Sequence, residues 1–156
     1  MLIKELTNIC GVSGDEGAVR EYIREKIAPY ADEITVDTIG NLIALKKGDS
    51  KKKIMLAAHM DEVGFIVSKI NDKGYIEFKT VGGIDTRVML SKKVVIGKNK
   101  IPGVIGIKAI HLQEKSERKT MPKTRDLYID IGAENKEEAE KLIAWGVDQI
   151  TSNILE

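Results

Sequence analysis

The sequence predicts an α/β chain in two parts: a helix-and-strand layer over residues 1–63, then a small antiparallel β-barrel or sandwich over residues 64–156. Three observations predict it. Two amphipathic helical patterns open the chain. Ile54-Met55-Leu56-Ala57-Ala58 is apolar without alternation, as in a strand covered on both faces by helices. After Val63 the texture changes to short strand-like runs punctuated by turn residues, the spacing of a small all-β module.

Leu2, Ile3, Leu6 and Ile9 recur at helical spacing before the breaker Gly11, which predicts a short first helix. Ser13-Gly14-Asp15-Glu16 reads as a capping box for a second helix, with Val19, Tyr22, Ile23 and Ile27 as its buried stripe and Pro29 near its end. Residues 34–37 and 41–46 read as strands joined through Thr38-Ile39-Gly40, and Gly48-Asp49-Ser50 makes the next turn. Residues 54–58 form the buried strand, which stops at His59-Met60-Asp61-Glu62.

Four further strands are predicted over residues 64–70, 75–81, 92–96 and 104–107. Residues 113–125 are polar and rich in lysine and arginine, which predicts a surface loop. A strand over residues 127–131 follows, and then a helix with Asn135 as cap and Glu138 at its third position, burying Ala139, Leu142 and Ile143.

Composition narrows the function classes. Lysine plus arginine number 25 against 24 acidic residues, so no net field draws nucleic acid or an anionic membrane. No apolar run approaches the ~20 residues that span a bilayer, and no signal sequence opens the chain, so the expected location is cytoplasmic. The single cysteine, Cys10, excludes an intrachain disulfide and reads as a buried structural thiol. Aromatic residues are only 4%, which leaves little material for a sugar-binding cleft.

In an open α/β sheet, ligands bind beyond the carboxyl ends of the strands, and His59 and Asp61 stand at such an end. An imidazole there suits zinc, cobalt or manganese, and a nearby carboxylate can hold the ring nitrogen that faces away from the metal. The His-x-Asp pattern has a second reading, a histidine that caps the strand end with ordinary hydrogen bonds, and the local chemistry by itself favours it. His111 belongs to the all-β module and reads as a structural or substrate-border residue with no ligand role; Glu62 ranks below Asp61, as a solvated neighbour or a salt-bridge partner. Gly82-Gly83 and the Gly103 and Gly106 pair do not lie between a strand and a helix N-terminus as a phosphate cradle requires, so they read as turn and bend glycines. Lys51-Lys52-Lys53 reads as a solvated loop.

The segment Ala58-His59-Met60-Asp61-Glu62-Val63-Gly64-Phe65-Ile66-Val67 resembles the first metal-binding segment of the tetrahedral and glutamyl aminopeptidases, a family of co-catalytic metallopeptidases. Gly11-Val12-Ser13-Gly14 with Glu16, Gly40-Asn41, Val81-Gly82-Gly83, Gly103-Val104-Ile105-Gly106, Ile110-His111-Leu112 and Asp130-Ile131-Gly132-Ala133 all fall in that family's order. The resemblance is traced to about Gly146; Val147 stands where the family usually has glycine, before the aspartate matched by Asp148.

The resemblance implies the N-terminal part of an α/β catalytic domain, followed by an inserted β-barrel domain that takes part in oligomerisation and borders the substrate cleft. It implies two divalent metal ions, zinc or cobalt, per complete site, with His59 as a ligand and Asp61 as its support. The implied reaction is removal of an N-terminal residue from a peptide by metal-activated water. The family's remaining ligands and its general base lie beyond the barrel, so the expectation is a fragment inactive alone. It would form a homo-oligomer or associate with a separate C-terminal half, with uncovered apolar faces promoting association. Two other functions stay in view: a non-catalytic interaction module, and the glycan hydrolase that the endoglucanase or cellulase label of some family members suggests.

Overall fold

The computed structural model describes residues 2–116, 119–143 and 149–151 and divides the chain into two units, Met1–Glu62 and Val63–Glu156. The Val147 and Asp148 positions, Trp145 and the final residues 152–156 lie outside the described residues.

The first unit opens with α1 (Leu2–Thr7) and α2 (Gly17–Ile27), and a 3-10 turn over Ala28–Tyr30 carries Pro29. The two helices are fastened by polar contacts more than by a buried seam. The Tyr22 hydroxyl donates to Glu5, and Lys26 Nζ lies 3.5 Å from Glu5 Oε2 and 5.1 Å from the centre of the Tyr22 ring. Val19 is the buried residue of α2; Tyr22, Ile23 and Ile27 are half-buried, and α1 buries none. β1 (Glu33–Val36) and β2 (Leu42–Leu45) form the predicted antiparallel hairpin, Glu33 opposite Leu45 and Val36 opposite Leu42. Its turn is held by the Asp37 carboxylate, which accepts from the backbone of Ile39 at 3.1 Å and of Asn41 at 2.8 Å.

Three expectations are corrected in this unit. The capping box does not form: α2 begins after Glu16, with no side-chain cap, and Glu16 Oε1 accepts instead from the Gly14 amide at 2.6 Å. Gly14 takes φ +97°, which turns the chain out of helical geometry, and the Ser13 backbone amide donates to the Glu62 carbonyl at 3.3 Å. Residues 54–58 are not a strand. A doubly covered strand needs a partner on at least one edge and helices on its faces. Among the described residues nothing pairs with this run, and Ile54, Met55 and Leu56 are 89%, 87% and 94% exposed. Cys10 is half-buried, not buried.

The second unit is a closed six-stranded antiparallel barrel in the order β3-β4-β7-β6-β5-β8, built from β3 (Gly64–Ile70), β4 (Ile76–Val81), β5 (Lys93–Ile96), β6 (Ile101–Ile107), β7 (Leu127–Asp130) and β8 (Gln149–Thr151). The first five match the predicted runs to within a few residues. β8 was not foreseen. It closes the barrel, with Ile150 opposite both Phe65 of β3 and Ile96 of β5.

Alternating side chains of these strands fill the interior. Ile76, Ile96, Ile129 and Ile150 are fully buried, and Phe65 meets Phe78 edge-to-face at 4.9 Å. A third helix, α3 (Lys136–Leu142), begins at the predicted cap: Asn135 Oδ1 accepts from the Glu138 amide at 3.0 Å. Glu138 in turn accepts from the Glu134 amide at 2.8 Å, and Ala139 and Ile143 are buried while Leu142 is exposed. Gly103 and Gly106 lie within β6, and Gly82 takes φ +83° just after β4, as bend and turn glycines do. Among the described residues no helix is long and apolar enough to cross a membrane.

Because Ile129 is fully buried and pairs with both Ile76 and Ile105, Ile129→Ala is expected to cost about 2–5 kcal/mol, the range for a large-to-small change in a packed core. Urea denaturation measures it, and a loss under about 1 kcal/mol would contradict the placement of Ile129 at the barrel centre.

Candidate metal centre

His59 follows the unpaired run of residues 54–58, and its side chain is 85% exposed. Two acceptors meet one of its ring nitrogens. The Asp61 carboxylate (Oδ1) and the Asp61 backbone carbonyl each lie 3.0 Å from Nδ1. A carbonyl oxygen can only accept, so the pair of contacts is satisfied with the proton on Nδ1. Nε2 then presents its lone pair outward, and among the described residues no hydrogen-bond partner reaches it.

The Asp61 carboxyl is held below its ordinary range, chiefly by the nearby Ser13 hydroxyl; desolvation opposes this as the next-largest effect, and His59 adds a smaller lowering. Glu62 behaves in the opposite way. It remains open to solvent, yet partial desolvation raises its carboxyl, while the Gly11 amide, donating to Glu62 Oε1 at 3.2 Å, works against that rise. Residues 11–13 run alongside Asp61 and Glu62 through an isolated parallel bridge between Val12 and Glu62. Two stretches 48 residues apart, Gly11-Val12-Ser13 and His59-Met60-Asp61-Glu62, therefore form one local cluster.

Ser13 and Gly11 are the members that sequence reasoning missed. In the sequence pattern both stand as helix punctuation. The signal that could have found them was their presence in the same ordered run of motifs as His59. His111 is placed in a 3-10 turn of the barrel unit, Ile110–Leu112, and is exposed. Lys51, Lys52 and Lys53 are exposed as expected. The barrel unit also carries a cavity of about 720 Å³ lined by Leu90, Ile107, Lys108, Met121, Pro122 and Lys123; His59 does not line it.

A divalent ion of the zinc or cobalt type is held by three or four protein donors. Among the described residues no group of three or more histidine, cysteine, aspartate or glutamate side chains converges. The local donor set is one imidazole with its carboxylate support, which does not by itself make a metal site.

A family model described as M42 glutamyl aminopeptidase matches residues 40–153, past the Gly146 at which the motif resemblance ends. A glutamyl aminopeptidase of Lactococcus lactis is 34% identical over 92% of this chain and 42% of its own length. Among solved structures, the TET aminopeptidase of a marine-sediment thaumarchaeon aligns with TM-score 0.91 and 40% identity, covering 97% of this chain and 43% of that one. A Thermotoga maritima structure named endoglucanase aligns with TM-score 0.82 and 42% identity, over 96% of this chain and 44% of that one. The Pyrococcus horikoshii TET1 peptidase, at TM-score 0.83 and 38% identity over 97% of this chain and 45% of its own, is described as assembling into a tetrahedron or a large octahedral shell. The chain spans less than half the length of the curated relatives it matches.

Since the folded carboxyl of Asp61 is lowered, its contacts contribute stability that is present above the ordinary aspartate value and is lost as pH falls through the lowered one. Carboxyl carbon NMR is expected to show Asp61 titrating below an unstructured aspartate, and Ser13→Ala is expected to move the midpoint upward. A midpoint at the unstructured value would contradict the Ser13 contact.

Proposed function

Since this chain belongs to the M42 glutamyl aminopeptidase family, we propose that it forms the N-terminal part of a metal-dependent aminopeptidase, contributing His59 as one metal ligand and Asp61 as the carboxylate behind it. The observation that carries this reading is the seat of His59: both Asp61 acceptors engage Nδ1 and leave Nε2 turned to solvent. That is the arrangement by which a carboxylate sets the tautomer and basicity of a ligating imidazole. Residues 1–63 would begin the catalytic domain and residues 64–156 would be an insertion within it. The substrate would be the N-terminal residue of a peptide, and zinc or cobalt would be the metal, with the other donors supplied from outside the described residues.

The test compares residues 1–156 alone with the same chain mixed with the complementary C-terminal part of a relative. Alone, the chain is expected neither to retain stoichiometric Zn²⁺ or Co²⁺ nor to hydrolyse aminoacyl-p-nitroanilides. The mixture is expected to do both and to lose both in His59→Ala, with Asp61→Asn costing roughly 10 to 100-fold in metal affinity or activity. Activity that survives His59→Ala in the mixture would overturn the assignment.

A second reading, assembly through the barrel, is favoured by a specific observation: the barrel is a closed unit with a core of its own, and the P. horikoshii relative builds large shells. Light scattering on the chain is expected to give a multiple of the monomer mass. A strict monomer that also ignores an intact relative would remove this reading. The endoglucanase name of the T. maritima relative is not carried over, because 4% aromatic content offers little of the broad ring surface on which glycan binding relies.

A further inference from the structure

The hairpin of β1 and β2 is an unfinished sheet. Its register puts Ile43 and Leu45 on one face and Val36 on the other, and all three side chains are exposed, so neither face is covered. A two-stranded ribbon in that condition is marginal on its own. Residues 54–58 add a second deficit. Every residue of the run is exposed, and among the described residues no backbone hydrogen bond reaches it.

Five apolar residues in a row without alternation are the composition of a strand covered on both faces. The run therefore has the side chains of an interior strand and the surroundings of a surface loop. A partner that brings both a strand edge and apolar cover resolves the mismatch, because the edge satisfies the amides and carbonyls that the cover removes from water. The barrel does not bring the edge, since its six strands close on one another. A second copy of the chain arrives with the same hairpin faces and the same run uncovered. The remaining source is polypeptide that the relatives have beyond the aligned part. The thaumarchaeal TET aminopeptidase aligns over 97% of this chain but only 43% of its own, so more than half of that protein has no counterpart here.

We infer that residues 54–58 are a docking strand for the C-terminal part of an M42 aminopeptidase chain: the run pairs edge to edge with a strand of that part, under apolar cover on both faces. This rests on the reading of the chain as the N-terminal part of such an enzyme, and it names the element through which the two parts join. In strand addition the backbone bonds supply affinity and alternate side chains supply fit. His59 directly follows the run, so the register of that pairing sets where the imidazole stands; a slip of one residue would turn every side chain to the opposite face.

The test co-expresses residues 1–156 with the C-terminal part of the Thermotoga maritima relative and follows amide hydrogen exchange by residue. In the chain alone, the amides of residues 54–58 are expected to exchange as in an unstructured peptide. In the complex they are expected to slow by roughly 100-fold or more, as in a paired strand. Leu56→Asp is expected to weaken the complex by about 10-fold or more, the effect of losing one buried leucine, while barrel amides in the chain alone exchange as before. Protection of residues 54–58 in the chain alone overturns the proposal, because a second copy then pairs with the run. So does a complex in which these amides stay unprotected, a complex indifferent to Leu56→Asp, or failure of the two parts to copurify. The ligand reading fails by a different signal: residues 54–58 protected in a complex that retains no Zn²⁺ or Co²⁺. A complex that retains metal while residues 54–58 exchange freely keeps that reading and removes this one.

Discussion

An extended backbone presents an amide donor and a carbonyl acceptor at every residue, and each must find a partner or water. That constraint organises both units of this chain. In the barrel it is met by closure: β8 slots between β3 and β5, Ile150 reaches into the core, and no sheet edge is left open. In the first unit it is met only in part. β1 and β2 satisfy one another, residues 11–13 find Glu62, and residues 54–58 have no partner among the described residues.

The same constraint decides the geometry of the candidate metal centre. His59 sits at the border between an unpaired run and a paired one, with the hydrogen bonds of residues 11–13 falling on Glu62 and Asp61 standing directly before it. The segment that carries His59 is held by polar and local contacts: two bridging backbone bonds, a buried Val12, and the Asp61 carboxylate on the imidazole. Placed this way, the histidine has one nitrogen committed and the other available. The neighbouring carboxyls are pulled apart by their surroundings, Asp61 downward by two hydrogen-bond donors and Glu62 upward by desolvation.

Local signals were legible wherever the physics is local. The Asn135 cap formed as predicted because an N-cap involves only residues within one turn, and Glu138 lies at the required offset. The barrel strands were legible because alternation and turn glycines mark them individually, as with Gly64–Ile70. β8 was not, since three residues, Gln149–Thr151, carry too short a pattern to read and acquire strand character only by pairing with β3 and β5. The box expected at Ser13 failed for a related reason. A serine followed three residues later by glutamate is a sound local pattern, but the Ser13 amide is drawn to the distant Glu62 carbonyl and Glu16 accepts from Gly14 instead.

By itself, then, the sequence determined the α/β class with its barrel, the onset of strands at Gly64, and the family to which its motifs belong, and it singled out His59 and Asp61 as candidates. Only the tertiary structure decided which partners these residues take. It joined residues 11–13 to the His59 segment, tied the Ser13 amide to Glu62 in place of a helix cap, closed the barrel with Ile150, and left the apolar run before His59 exposed. The physical reason is that propensity, capping and alternation act within a few residues, whereas the pairing of distant backbones, or the closing of two edges by one strand, is settled only after distant segments meet.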